Sequence, residues 1–109
     1  MKLNEITSLV PKHAAHSALD AYNYAVSIGH RFPAGESLIA KNAGLAYMYA
    51  LNVINGRFLQ GEDVIALKAN VAIDYATDII KGPFPKGEPA ILASRLADAY
   101  KEFVTCRQT

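Results

Sequence analysis

Apolar residues recur along this chain at helical spacing. Ala46, Tyr49, Ala50, Val53 and Ile54 fall at i, i+3, i+4, i+7 and i+8, and Ala72, Tyr75, Ala76, Ile79 and Ile80 repeat the series. Such spacing turns one stripe of an amphipathic helix toward a core. Ala21, Tyr24, Ala25 and Ile28 begin the same series, with one residue fewer before the polar break that follows. The residues between the stripes differ: Met48, Leu51 and Asn52 in one segment, Asp74, Thr77 and Asp78 in the next. A constant stripe beside a variable face is the pattern of core against surface. No stretch alternates with period two for long enough to predict a strand.

The polar breaks are alike as well. His30-Arg31-Phe32-Pro33-Ala34-Gly35-Glu36, Gly56-Arg57-Phe58-Leu59-Gln60-Gly61-Glu62 and Gly82-Pro83-Phe84-Pro85-Lys86-Gly87-Glu88 align without gaps. Phe32, Phe58 and Phe84 are 26 residues apart, as are Gly35, Gly61 and Gly87, Glu36, Glu62 and Glu88, and Ile39, Ile65 and Ile91. Four positions held in one register predict tandem units, each a long helix, a turn and a short helix. The long helices are expected to stop in a left-handed residue at the glycine of Asn55-Gly56 and of Lys81-Gly82. The short helices are expected near residues 36–41, 62–68 and 88–94. There Glu36, Glu62 and Glu88 meet the positive end of the helix dipole, and Pro89 sits where its missing N–H costs least.

The ends depart from the pattern, as the outer units of a stack do when one side faces water. Leu3, Ile6, Leu9 and Val10 predict a short helix or turn before Pro11. Leu96, Ala99, Tyr100 and Phe103 predict a last long helix without a loop after it. The expected fold is therefore all-α: one domain over residues 1–109, with units near 13–41, 42–68 and 69–94 and a terminal half-unit at 95–109. The units would stack as a small α-solenoid or a compact bundle.

Residues 31–41 and 45–58 resemble a tandem repeat of about 26 residues, found in proteins of bacteriophages, giant viruses and some bacteria. That repeat runs Arg-Phe/Trp-Pro-Glu-Gly/Ala-Glu, a short helix, then a Tyr/Ala-rich helix. The resemblance spans roughly residues 17–94 and departs at Leu59, where proline is usual, and at Pro83, where arginine is usual. It implies a helical repeat of phage or prophage origin and brings no catalytic residue with it.

Composition narrows the function further. Eleven Lys and Arg against ten Asp and Glu leave a net charge of +1. A dedicated nucleic-acid binder usually carries a marked basic excess. The lone cysteine, Cys106, excludes an intrachain disulfide and fits a reducing cytoplasm. No apolar run approaches the roughly 20 residues that span a bilayer. Met1-Lys2-Leu3-Asn4-Glu5 carries a charge pair where a signal peptide needs an apolar stretch. A soluble protein of the bacterial cytoplasm, off the membrane, is expected.

Candidate chemistry is sparse. His13, His16 and Asp20 would share one face if residues 12–28 formed a single helix, the disposition of metal ligands. Ordinary surface histidines account for them more simply, and no second ligand cluster completes a shell, so neither metal nor cofactor is expected. The glutamates at 26-residue stride form no close pair of the kind general acid–base catalysis uses. No phosphate-cradling loop, nucleophile elbow or His-Glu-x-x-His occurs. Cys106 has no histidine near it in sequence.

The surface offers more. Tyr24, Tyr49 and Tyr75 lie on the buried stripe, with their hydroxyls expected at its edge. Tyr22 and Tyr47 point elsewhere. With Met48 and Leu51 they form a candidate apolar interaction face, Tyr and Met being enriched in interface cores. Burial against the next unit's helix is the alternative. Arg31 and Arg57, with Lys41, Lys68, Lys81 and Lys86, form a candidate basic edge. The expected function is a protein-binding module, a small phage factor that binds and inhibits or redirects a host protein such as a defence component. A nucleic-acid accessory using the Arg/Lys edge and a virion or scaffold component are the alternatives. If copies associate, a C2 homodimer is the expected form.

Overall fold

A computed structural model describes Ala14 and residues 16–108. Among the described residues there are seven α-helices and no strand, so the fold is all-α. Four longer helices, α1 (Ala18–Ile28), α3 (Ala43–Tyr49), α5 (Ala69–Tyr75) and α7 (Ala97–Gln108), alternate with three short ones, α2 (Glu36–Ile39), α4 (Glu62–Ile65) and α6 (Glu88–Leu92). The helix or turn expected over residues 3–10, and His13, lie outside the described residues. Helix α1 starts only at Ala18, where the Ser17 hydroxyl accepts the Asp20 N–H. His16 precedes that cap, so it does not share a helical face with Asp20. Asn42 caps α3 in the same way, accepting the Leu45 N–H.

The short helices start where expected but end sooner, because the residues after them close bonds three residues back instead of four, Lys41 to Leu38, Leu67 to Val64 and Ser94 to Ile91. Each is preceded by a turn that winds as a single 3₁₀ segment: Pro33–Gly35, Leu59–Gly61 and Pro85–Gly87. In each, the glycine N–H bonds the phenylalanine carbonyl three residues back. The glycine is needed there for space. Its φ is ordinary, −103° at Gly35 and −94° at Gly61. A Cβ on Gly61 would come within 2.8 Å of the Ala46 Cβ and of the Phe58 ring, and one on Gly35 within 2.8 Å of the Ala21 Cβ. The turn presses on the long helix at an alanine, and neither partner has room for another carbon.

The end of each long helix explains a mismatch in the sequence register. Tyr24 and Phe32 are eight residues apart, whereas Tyr49 and Phe58, and Tyr75 and Phe84, are nine apart. Helix α1 ends normally, with Gly29 at φ 76°. Helices α3 and α5 run on into one π-helical stretch each, Ala50–Ile54 and Ala76–Ile80. There the Asn55 and Lys81 N–H groups reach back five residues to the Ala50 and Ala76 carbonyls. The wider turn absorbs the extra residue and returns the phenylalanine to the same place, the usual way an insertion is housed in a helix. The stop consequently differs from the one expected at Gly56 and Gly82. The left-handed residues are Asn55 at φ 60° and Lys81 at φ 61°.

One core runs through these units. Ile39, Ile65 and Ile91 are wholly buried, as are Ala21, Ala25, Ala46, Tyr49, Ala50, Ala72, Tyr75 and Ala76. Phe32, Phe58 and Phe84 are at most 4% exposed. Each packs its ring across the tyrosine of its preceding long helix, with centroids 4.7, 4.9 and 5.2 Å apart, distances at which tilted aromatic pairs attract. The chain lengthens along one axis rather than closing into a ball. Its extents are 54 × 24 × 18 Å and its radius of gyration is 16.0 Å, against about 13 Å for a compact domain of this length. No helix among the described residues is long and apolar enough to cross a membrane.

Candidate functional site

The repeated glutamates are the centre of the most organised polar chemistry in the molecule. Arg31 grips Glu36 with two parallel bonds, Nε to Oε2 at 2.8 Å and a terminal nitrogen to Oε1 at 2.9 Å. Arg57 holds Glu62 with the same atoms at the same distances. Into each pair comes the tyrosine of the next long helix. The Tyr49 hydroxyl donates to Glu36 Oε2 at 2.5 Å and accepts the Phe32 N–H at 2.8 Å. The Tyr75 hydroxyl donates to Glu62 Oε2 at 2.6 Å and accepts the Phe58 N–H at 2.9 Å. Each tyrosine thus joins its helix to the turn of the unit before it, while its ring packs on the phenylalanine of its own turn.

Position at a helix start, the role expected of these glutamates, leaves out most of this. Glu62 is 1% exposed and Glu36 7%. A buried carboxylate stays charged only with a full set of donors, and here an arginine fork and a tyrosine supply them. The Arg31 guanidinium holds the Glu36 carboxyl below its usual range against the opposing effect of burial, and Tyr49 adds to it. Burial pushes Glu62 up, but the bonds from Arg57 and Tyr75 outweigh it and its carboxyl also titrates low. Burial and the adjoining carboxylate push the Tyr49 hydroxyl up to about 12. The Tyr49 and Tyr75 hydroxyls, expected at the edge of the stripe, lie inside it, while Tyr24 is only half-buried. No buried side-chain polar atom among the described residues lacks a partner.

The third junction departs from the other two. Tyr100 donates to Glu88 Oε2 at 2.7 Å and accepts the Phe84 N–H at 2.9 Å. Pro83 stands where Arg31 and Arg57 stand, so no guanidinium reaches Glu88 from within its own turn.

The long-helix face carries the candidate interaction residues. Tyr22 and Tyr47 are half-buried, between the two alternatives the sequence allows. Tyr22 accepts a bond from the Asn52 side chain at 3.0 Å, and Tyr47 donates to Asp78 at 2.6 Å. Each ring therefore leans on the next long helix while its edge stays open. Met48 is 37% exposed. Leu51 is half-buried and lines a cavity of about 220 Å³ with Asn55, Gly56, Asp78, Ile79 and Lys81. Asp74, which takes the place of Met48 in the next long helix, titrates high because of burial and the neighbouring Asp78.

Of the candidate basic edge, Lys41, Lys68 and Lys81 are exposed, and the other three carry ion pairs. Arg31 and Arg57 keep about half of their side-chain surface, but both charges are matched by carboxylates in place. Lys86 is bonded to Asp63 of the preceding unit at 3.1 Å. Among the described residues no group of three or more His, Cys, Asp and Glu is placed to hold a metal ion. Compared with protein-family models, with curated proteins and with solved structures, the chain matches none.

Proposed function

We propose that this chain is a helical-repeat protein-binding module, and that its binding face is the row of long helices bearing Tyr22, Tyr47, Met48 and Leu51. The observation that carries the reading is the pair of cross-helix bonds from Tyr22 to Asn52 and from Tyr47 to Asp78. They fix two half-exposed aromatic rings beside an exposed methionine before any partner arrives. Rigid aromatic side chains on a preordered surface lose little entropy on binding, which is how such positions become energetic centres of interfaces.

The resemblance to phage and giant-virus repeats supports a phage or prophage origin and a host protein as the partner, bound so as to inhibit or redirect it. Nucleic-acid binding is the weaker reading, since Arg31 and Arg57 already have their charges matched by Glu36 and Glu62. Assembly into a larger scaffold, or a homodimer through the same face, would use the same residues.

The test is affinity capture from a bacterial host lysate with the intact chain and with a Tyr47→Ala/Met48→Asp variant whose thermal unfolding is unchanged. The intact chain should retain a stoichiometric protein through a high-salt wash, and the variant should lose it. Equal recovery by both would refute the assignment of this face, and recovery of nucleic acid that washes off with salt would favour the weaker reading.

A further inference from the structure

The molecule contains a guanidinium site used twice by its own chain and left open once. At the first two junctions the carboxylate accepts an arginine fork and a tyrosine hydroxyl together. At the third junction the tyrosine half is already in place. Tyr100 binds Glu88 Oε2 and the Phe84 amide just as Tyr49 and Tyr75 bind theirs. Glu88 Oε1, the oxygen that takes the terminal guanidinium nitrogen elsewhere, has no hydrogen-bond partner among the described residues. Pro83 carries no donor that reaches it. Beside this carboxylate lies a cavity of about 240 Å³ between α6 and α7, lined by Glu88, Leu92, Tyr100, Lys101, Val104 and Thr105. The corresponding space in the earlier units is roofed by the turn that follows the next long helix, since Leu59–Gly61 rests on α2 and Pro85–Gly87 on α4. No such turn follows α7 within the described residues.

We propose that Glu88 and Tyr100 form a receptor for an arginine side chain supplied by a protein partner, the incoming guanidinium taking the place that Arg31 and Arg57 take at the other two junctions. A planar fork matches a carboxylate with two parallel bonds, and lysine, a point charge, cannot reproduce them. Glu88 is half-buried, so the carboxylate is partly shielded from water but still reachable from outside. Lys101 lines the same cavity yet forms no ion pair with Glu88, leaving the carboxylate to an incoming cation. The apolar walls from Leu92 and Val104 suit the methylene stem of arginine. This site stands apart from the Tyr22/Tyr47 face and does not depend on it.

The experiment is an NMR titration of the intact chain with N-acetyl-arginine N-methylamide, following the Glu88 carboxyl and Tyr100 ring resonances. Saturable shifts at both are expected. The matching lysine amide should bind at least about fivefold more weakly, the margin a fork geometry allows. Glu88→Gln should weaken binding by at least about tenfold, the equivalent of one charge-assisted contact. Pro83→Arg should weaken it as much while raising the thermal midpoint, because the chain then supplies its own guanidinium. Equal binding of the lysine amide, undiminished binding to folded Glu88→Gln, or undiminished binding to Pro83→Arg would each overturn the proposal, as would an intact chain that shows no shift. If Pro83→Arg does not fold, Glu88→Gln and the lysine comparison decide alone.

Discussion

The second and third junctions share a frame, but among the described residues the third lacks both the arginine and the turn that rests on the second. Around Glu62 the chain supplies Arg57, Tyr75 and near-complete burial. Around Glu88 it supplies Tyr100 and Pro83, and the carboxylate is half open to solvent. The tyrosine and the phenylalanine amide keep their geometry in both, so the arginine is not what positions them. What it provides is neutralisation: where the next turn encloses the carboxylate a guanidinium is present, and where neither turn nor guanidinium is present among the described residues the carboxylate stays in contact with water. A buried charge needs its partner more than the fold needs the pair.

Removing the arginine from the buried junction is the most severe way to break that comparison. Arg57→Met would leave Glu62 charged and enclosed. Loss of one partner from a buried pair costs about 3–5 kcal/mol, and the half-exposed Arg57 puts the expected loss at the low end, about 3 kcal/mol, after solvent screening. Urea denaturation at neutral pH measures it. Adding Glu62→Gln should recover part of the loss, because it removes the stranded charge. If Arg57→Met instead costs no more than an ordinary surface change, Glu62 is solvated in solution and the contrast with Glu88 collapses.

The tyrosines sharpen the comparison further. Tyr75→Phe deletes a donor to a buried carboxylate and strands the amide of Phe58, and Tyr100→Phe does the same beside a carboxylate that water can reach. Expected losses are about 2 kcal/mol at Tyr75 and about half that at Tyr100, because an unmade bond costs most where no water can replace it. Equal losses from the two, measured by the same urea titration, would mean that the amide rather than the carboxylate dominates both sites.

Much of this frame was legible in the chain, and the parts that were not share a cause. The apolar stripes of α3 and α5 and the constant stride of Phe32, Phe58 and Phe84 point to all-α packing, because burial follows periodicity. Short-range pattern does not disclose where a polar side chain finds its partner. Glu36 looks like a helix-start carboxylate until Tyr49, thirteen residues on, is seen to reach it through the core. The clue was present in the spacing within the chain itself: Arg31 and Arg57 each stand five residues before their glutamate, and Pro83 breaks the series. The eight-against-nine spacing from tyrosine to phenylalanine likewise foretold a local insertion. Only the backbone shows it as a π turn, with the left-handed residue moved from glycine to Asn55 and Lys81. The half-exposed state of Tyr22 and Tyr47 was beyond any pattern, since it depends on where Asn52 and Asp78 sit across the helix gap.

The smallest effect concerns acid. Glu36 and Glu62 both titrate lower in the folded chain than in the open one, from a starting value of 4.5. Protonation therefore favours the open chain. The stabilisation from these two groups is complete above pH 4.5, and it drains away as the pH falls through their folded values. Glu62→Gln takes one of the two groups out of this titration. The fall in unfolding free energy between neutral pH and pH 3 should then be shallower than in the intact chain, by less than about 1 kcal/mol given the half-exposed arginine. The readout is the difference in slope between two series of urea titrations, which does not depend on whatever Glu62→Gln costs at neutral pH. Parallel curves would mean that the Glu62 carboxyl titrates alike in the folded and open chains, and that the arginine fork confers no acid sensitivity on this junction.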